Sequence, residues 1–207
     1  MREIVLPGTA ISDRQLSVEN TYFDGYKTRS EVVGLYDSTH NDIIQLEGRW
    51  KPRPRDVVVG IVERVGRNGV YGITLDEAID GLLIQDKYDN ARYVVGDVIE
   101  AEIRDVEHKR LAILERPKLL RAGLLMRIKA VRVPRLIGKA NTMITQIIEL
   151  TGCNIIVGRN GIVWMRGSNV AAATAAVLTV EREAHTTGLT ERIKSMLERM
   201  NENAQSK

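Results

Sequence analysis

One cysteine, one phenylalanine, three histidines and five prolines occur in 207 residues. A single thiol, Cys153, leaves no internal disulfide and no cysteine-rich zinc site. His40, His108 and His185 are too far apart in sequence to suggest a metalloenzyme, so no metal or other cofactor is expected. Aromatic residues make up 4% of the chain, which predicts aliphatic cores of Val, Ile and Leu and little surface on which bases could stack. No apolar run reaches the ~20 residues needed to span a bilayer. The first residues are interrupted by Pro7-Gly8, too early for a secretory signal, so a soluble, cytoplasmic protein with no membrane partner is expected.

Charge is present but unevenly placed. The net charge is only +3, yet from Arg104 to Lys139 eleven basic residues stand against three acidic ones. That window is +8 (11 − 3), which leaves −5 for the rest (3 − 8). A basic stripe in a near-neutral chain is the footprint of a phosphate-backbone binder, and a solvated helix face or sheet edge is the alternative.

Periodicity divides the chain into three pieces. Residues 1–53 read as a small β domain of short strands, ending in Arg49-Trp-Lys-Pro-Arg-Pro-Arg-Asp, where two prolines in three residues make a stiff connector. Residues 54–116 read as five strands, from Val57-Val-Val-Gly-Ile-Val to Leu111-Ala-Ile-Leu, which suit a small all-β barrel of the oligonucleotide-binding kind. Residues 117–207 change to an α+β pattern. A half-buried strand is expected over Met126–Val133, then an amphipathic helix carrying Met143, Ile147 and Leu150, two strands around Gly158-Arg-Asn-Gly161, and two closing helices.

Two of these pieces resemble known modules. Leu136-Ile-Gly-Lys-Ala-Asn-Thr-Met-Ile-Thr-Gln-Ile-Ile resembles the core of a KH domain, where a Gly-x-x-Gly loop at a helix N-terminus clamps the backbone of about four nucleotides. Here the loop is Gly138-Lys139-Ala140-Asn141, and Asn holds the place of the second Gly; its tolerance of left-handed backbone keeps the turn feasible. Gly60-Ile-Val-Glu-Arg-Val, Gly69-Val-Tyr-Gly-Ile, Asp80-Gly-Leu-Leu and Gly96-Asp97-Val-Ile resemble an S1 domain. That family stacks bases on aromatics of its second and third strands. Tyr71 stands at the first such position, with barrel core as its alternative role, and Ile84 at the second. The resemblances place RNA-binding candidates at Arg64, Arg67, Tyr71, Lys109, Arg110, Arg135 and Lys139.

The N-terminal piece, the S1-then-KH order and Gly158-Arg159-Asn160-Gly161 together resemble the KH-containing RNA-binding cap subunit of the archaeal exosome. That resemblance implies a non-catalytic protein in three copies on a hexameric ring of RNase PH-type subunits. The cap would capture single-stranded, A-rich RNA and guide its 3′ end into the pore. It also makes Gly158, Arg159, Asn160 and Gly161 structural; from the residues alone they read as a tight hairpin with glycine at positive φ. The densest acidic cluster, Asp76, Glu77 and Asp80, has no second cluster to complete a nuclease site and reads as loop acids. A ribosome- or translation-associated RNA adaptor is the alternative function. A phosphorolytic exoribonuclease fits less well, because such enzymes carry KH before S1 on a much longer chain.

Overall fold

Short apolar runs punctuated by turns build the first part of the molecule, and a computed structural model describes residues 2–85, 91–107, 110–184, 186 and 188–205. The chain divides into two compact units, 1–49 and 50–207. In the first, β1 (Arg2–Val5), β5 (Val33–Asp37) and β6 (Asp42–Glu47) form one sheet in the order β1-β5-β6. A second sheet takes the order β2-β4-β3 from Ala10–Ser12, Thr28–Ser30 and Thr21–Phe23. These last three strands are three residues each, too short for an alternating pattern to stand out in the sequence. The apolar core is small, centred on Val5, Val32 and Ile43. Buried Thr28 and Ser30 supplement it: Thr28 Oγ1 donates to Arg14 O at 2.6 Å and accepts from Leu16 N at 2.9 Å. At the β3–β4 turn Asp24 accepts from Tyr26 N and Lys27 N and binds the Arg29 guanidinium, which holds its carboxyl far below the usual carboxylate range.

The second unit begins at Trp50. Strands β7 (Val57–Val65), β8 (Val70–Thr74), β9 (Asp80–Ile84), β10 (Val98–Glu107) and β11 (Leu111–Leu120) close a barrel in the order β10-β11-β9-β8-β7. Closure comes from a parallel pairing of β11 with β9, Leu111 opposite Asp80 through Leu114 opposite Leu83. Alternation along each strand sends Val58, Val62, Ile73, Leu83, Ile99, Ile103 and Leu114 inward, an aliphatic core as the composition predicts.

The rest is an α+β layer. Strands β12 (Leu124–Arg127), β13 (Cys153–Val157) and β14 (Ile162–Gly167) form an antiparallel sheet in the order β12-β14-β13. Helices α1 (Val133–Ile137), α2 (Thr142–Thr151), α3 (Val170–Glu183) and α4 (Leu189–Gln205) cover it. Ala172, Ala173 and Ala176 let α3 sit close to the sheet, and Leu189, Ile193 and Leu197 of α4 complete the core. The strand expected over 126–133 ends at Arg127. Ile128 N bonds to Gly161 O at 2.9 Å, and the chain then turns through a short 3₁₀ stretch into α1 with Pro134 in its first turn. A five-residue helix offers less than two turns of periodicity, so the alternation of Met126, Ile128 and Ala130 dominated the sequence pattern.

Candidate nucleic-acid interface

Arg64 lies near the end of β7, and Arg67 sits in the turn to β8; both side chains are exposed. Arg110 sits in the turn just before β11, exposed, with its carbonyl accepting from Asp80 N at 3.0 Å. Lys109, the neighbouring candidate, lies outside the described residues. Tyr71 is not on this surface. It is 5% exposed, its hydroxyl donates to Gln85 Oε1 at 3.3 Å, and Tyr93 packs edge-on against it at 5.2 Å with an 86° interplanar angle. Inward alternation on β8 puts Tyr71 and Ile73 in the core, so the stacking role expected of Tyr71 is corrected to a core role. Its hydroxyl secures Gln85, whose side chain also donates to Ala91 O.

The KH-like loop is formed. Gly138 has φ 77°, and Ala140 and Asn141 follow at φ 51° and 63°, so two consecutive non-glycine residues are left-handed. Asn141 N bonds back to Gly138 O at 3.3 Å, and Thr142 Oγ1 donates to Lys139 O at 2.9 Å. No side chain caps α2 and no acid lies in its first turn. The positive end of the helix dipole therefore lies beside exposed Lys139 without an acidic or side-chain cap. Arg135, also exposed, donates to Thr186 O at 2.8 Å and so ties α1 to the chain beyond α3.

The basic stripe is partly neutralised. Arg116 pairs with Glu102 at 2.7 Å, Lys118 with Glu100 at 3.5 Å, and Arg127 with Asp76 at 2.6 Å. Among the described residues, no ion pair engages Arg64, Arg67, Arg110 or Lys139. The free cations are thus a subset of the stripe plus two that precede it. Asp76, grouped with Glu77 and Asp80 as a loop acid, instead ties the barrel to β12 through Arg127.

The Gly158–Gly161 turn joins the barrel to the α+β layer. Strand β8 pairs with β7 only from Thr74, opposite Ile61, onward, which leaves the edge at Val57–Val59 open. The turn covers that edge. Arg159 N donates to Val57 O at 2.8 Å; Asn160 Nδ2 donates to Val59 O and Leu75 O, each at 2.7 Å; and Val59 N donates to Asn160 Oδ1 at 3.3 Å. Asn160, 3% exposed, thereby stands in for a missing strand partner. The two glycines serve different ends. Gly161 has φ 83°, and a Cβ there would lie 2.4 Å from Ile128 O; at Gly158 one would meet Val59 N at 2.7 Å. Arg159 Nε lies 3.6 Å from Asp56 Oδ1, and Asp56 also accepts from Trp50 Nε1 at 3.2 Å.

Around this turn Val59, Ile162 and Trp164 are buried together, with Val98, Leu120, Leu125 and Ile156 packed against them. Full burial of one such side chain contributes about 1.5–3 kcal/mol, against ~0–1 kcal/mol for half-exposed ion pairs such as Arg127–Asp76. The seam is therefore held by its apolar cluster and by Asn160. The sequence singled out the four turn residues and read Asp76 only as a loop acid, and it gave no sign of Asp56 or Trp164. Nothing local signals a partner a hundred residues away, such as Val59 for Asn160.

Among the described residues no cluster of three His, Cys, Asp or Glu could hold a metal ion, and no helix is long and apolar enough to cross a membrane.

Comparison with known proteins supplies the context. A KH domain family model matches residues 123–171. The chain is 36% identical to exosome complex component Rrp4 of Pyrococcus furiosus over 221 residues, covering 95% of this chain and 83% of that one. It is 33% identical to Rrp4 of Methanothermobacter thermautotrophicus (96% and 69% covered) and 34% identical to Rrp4 of Thermoplasma acidophilum (97% and 92% covered). A solved structure assigned to an exosome complex RNA-binding protein superposes with a TM-score of 0.65 at 26% identity, covering 76% of this chain and 99% of that one.

Proposed function

Because the chain belongs to the Rrp4 family of exosome complex components, we propose that it is a non-catalytic RNA-binding subunit of such a complex. In this reading it captures single-stranded RNA on the barrel and the KH loop and guides the 3′ end to a ring of phosphorolytic RNase subunits. Three copies would sit on the ring, held by the N-terminal β unit. The observation that carries the proposal is the pairing of free cations with a rigid seam. Arg64, Arg67 and Arg110 on the barrel and Lys139 on the KH loop have no ion pair among the described residues. Asn160 and its apolar neighbours join the two modules that carry them into one body. Cations fixed on a shared scaffold suit a polyanion that must be led past rather than held at one point.

Co-expression with RNase PH-type ring subunits tests the reading. Native mass measurement is expected to give three copies per hexameric ring, and the ring with cap should retain A-rich single-stranded RNA better than the ring alone. Absence of the chain from the ring, or co-purification with ribosomes in its place, would sink the proposal.

A further inference from the structure

Three features of β7 and β8 converge on one side chain. Between Val62 and Arg64 the register with β8 slips: Val62 lies opposite Ile73 and Arg64 opposite Gly72, so two steps along β7 meet one along β8. Strict alternation from buried Val62 would send Glu63 outward and Arg64 into the barrel. The bulge leaves both exposed. Glu63 is then engaged by Thr74, whose Oγ1 donates to Glu63 Oε2 at 2.7 Å. Arg64 lies over Gly72, where a Cβ would stand 3.2 Å from its Nε and 3.7 Å from its Nη2. The guanidinium thus covers the position on the outer face of β8 that has no side chain. Leu82, opposite Gly72 on β9, and Ile84, 55% exposed, continue this face with aliphatic surface.

We propose that Arg64 is a base-stacking platform, its guanidinium laid across Gly72 to receive one unpaired RNA base on its open side. The proposal rests on the RNA-binding reading and names how that surface holds a base. A guanidinium is planar, delocalised and weakly hydrated, so it stacks on π-faces as an ammonium does not. The chemistry is needed because neither position of an aromatic platform supplies one: Tyr71 is inside the barrel and Ile84 is aliphatic. Gly72 matters through the space it leaves, since any side chain there lifts the guanidinium off the sheet.

The test uses the full chain, fluorescence anisotropy, and two single strands about 12 nucleotides long, oligo(A) and an abasic strand of the same length. Arg64→Ala and Arg64→Lys are each expected to bind oligo(A) about five- to tenfold more weakly than wild type, because both lose the plane. Arg64→Tyr should stay within about twofold of wild type at low salt, with a salt slope close to that of wild type, because a stacked side chain neutralises no phosphate. Gly72→Ala should weaken oligo(A) binding and spare the abasic strand, with unchanged melting temperature as the folding control. Arg64→Lys equal to wild type on oligo(A), or Arg64→Tyr no better than Arg64→Ala, would show a phosphate contact and overturn the platform. Wild type binding neither strand would overturn the RNA-binding reading itself, a result distinct from the first.

Discussion

At the scale of single residues, Asn160 carries more than its size suggests. Its amide satisfies three backbone groups on the barrel that no strand reaches, in a site closed to water. Each such bond contributes about 1 kcal/mol net, and an orphaned buried carbonyl or N–H costs about 1–3 kcal/mol. Asn160→Ala is therefore expected to lower stability by about 2–4 kcal/mol in urea unfolding, with faster hydrogen exchange at the Val59 amide. Asn160→Asp should be worse, because a carboxylate offers no donor to the Val59 and Leu75 carbonyls and would be a buried charge. A loss under about 1 kcal/mol with unchanged exchange would mean the apolar cluster alone holds the seam. Tyr71 teaches the converse lesson. It has the residue type of a stacking platform, but one step of alternation on β8 decides that its ring faces Tyr93 and not a base.

Among the elements, the Gly138–Asn141 loop and α2 form one device. The loop holds Ala140 and Asn141 in left-handed geometry, where a Cβ costs about 1–2 kcal/mol per residue, less for Asn. Asn in place of a second glycine therefore preserves the turn. Ala140, at the position between, carries the larger strain. Ala140→Gly should raise stability by about 0.5–1 kcal/mol, the relief exceeding the extra freedom gained by the unfolded chain. Destabilisation on thermal unfolding would indicate that the Ala140 methyl makes a packing contact that outweighs the strain. Short α1 leaves little trace in the sequence: five residues with Pro134 near the start give no usable period, so the apolar beat beginning at Met126 dominates the local pattern.

Across the whole molecule, the distribution of ion pairs determines how charge can be used. Glu100, Glu102 and Asp76 take up Lys118, Arg116 and Arg127, so the net charge of the stripe overstates what an RNA would meet. The remaining cations define a countable electrostatic term. For single strands each phosphate contact steepens the dependence of log K on log salt by about 0.7. Neutralising Arg67, Arg110 and Lys139 together, each to Gln, should flatten the slope by about 2 (three contacts at about 0.7), measured by anisotropy across a salt series. A slope equal to that of wild type would mean that these three side chains do not reach the backbone.

Composition and period by themselves determined much of this protein. A single cysteine excludes an internal disulfide. Aliphatic runs at period two placed the five barrel strands, and the glycines of the Gly158–Gly161 turn marked a hairpin. These are local signals, written in neighbouring residues by backbone sterics and by the burial of alternate side chains. Tertiary structure alone decided the rest: which cations of the stripe are neutralised, that Asn160 completes the open edge of β7, and that a bulge turns Arg64 outward over Gly72. Each of these depends on which chain segments meet across tens of residues. Such meetings are fixed by sheet closure and register, where a one-residue slip reverses the face a side chain presents.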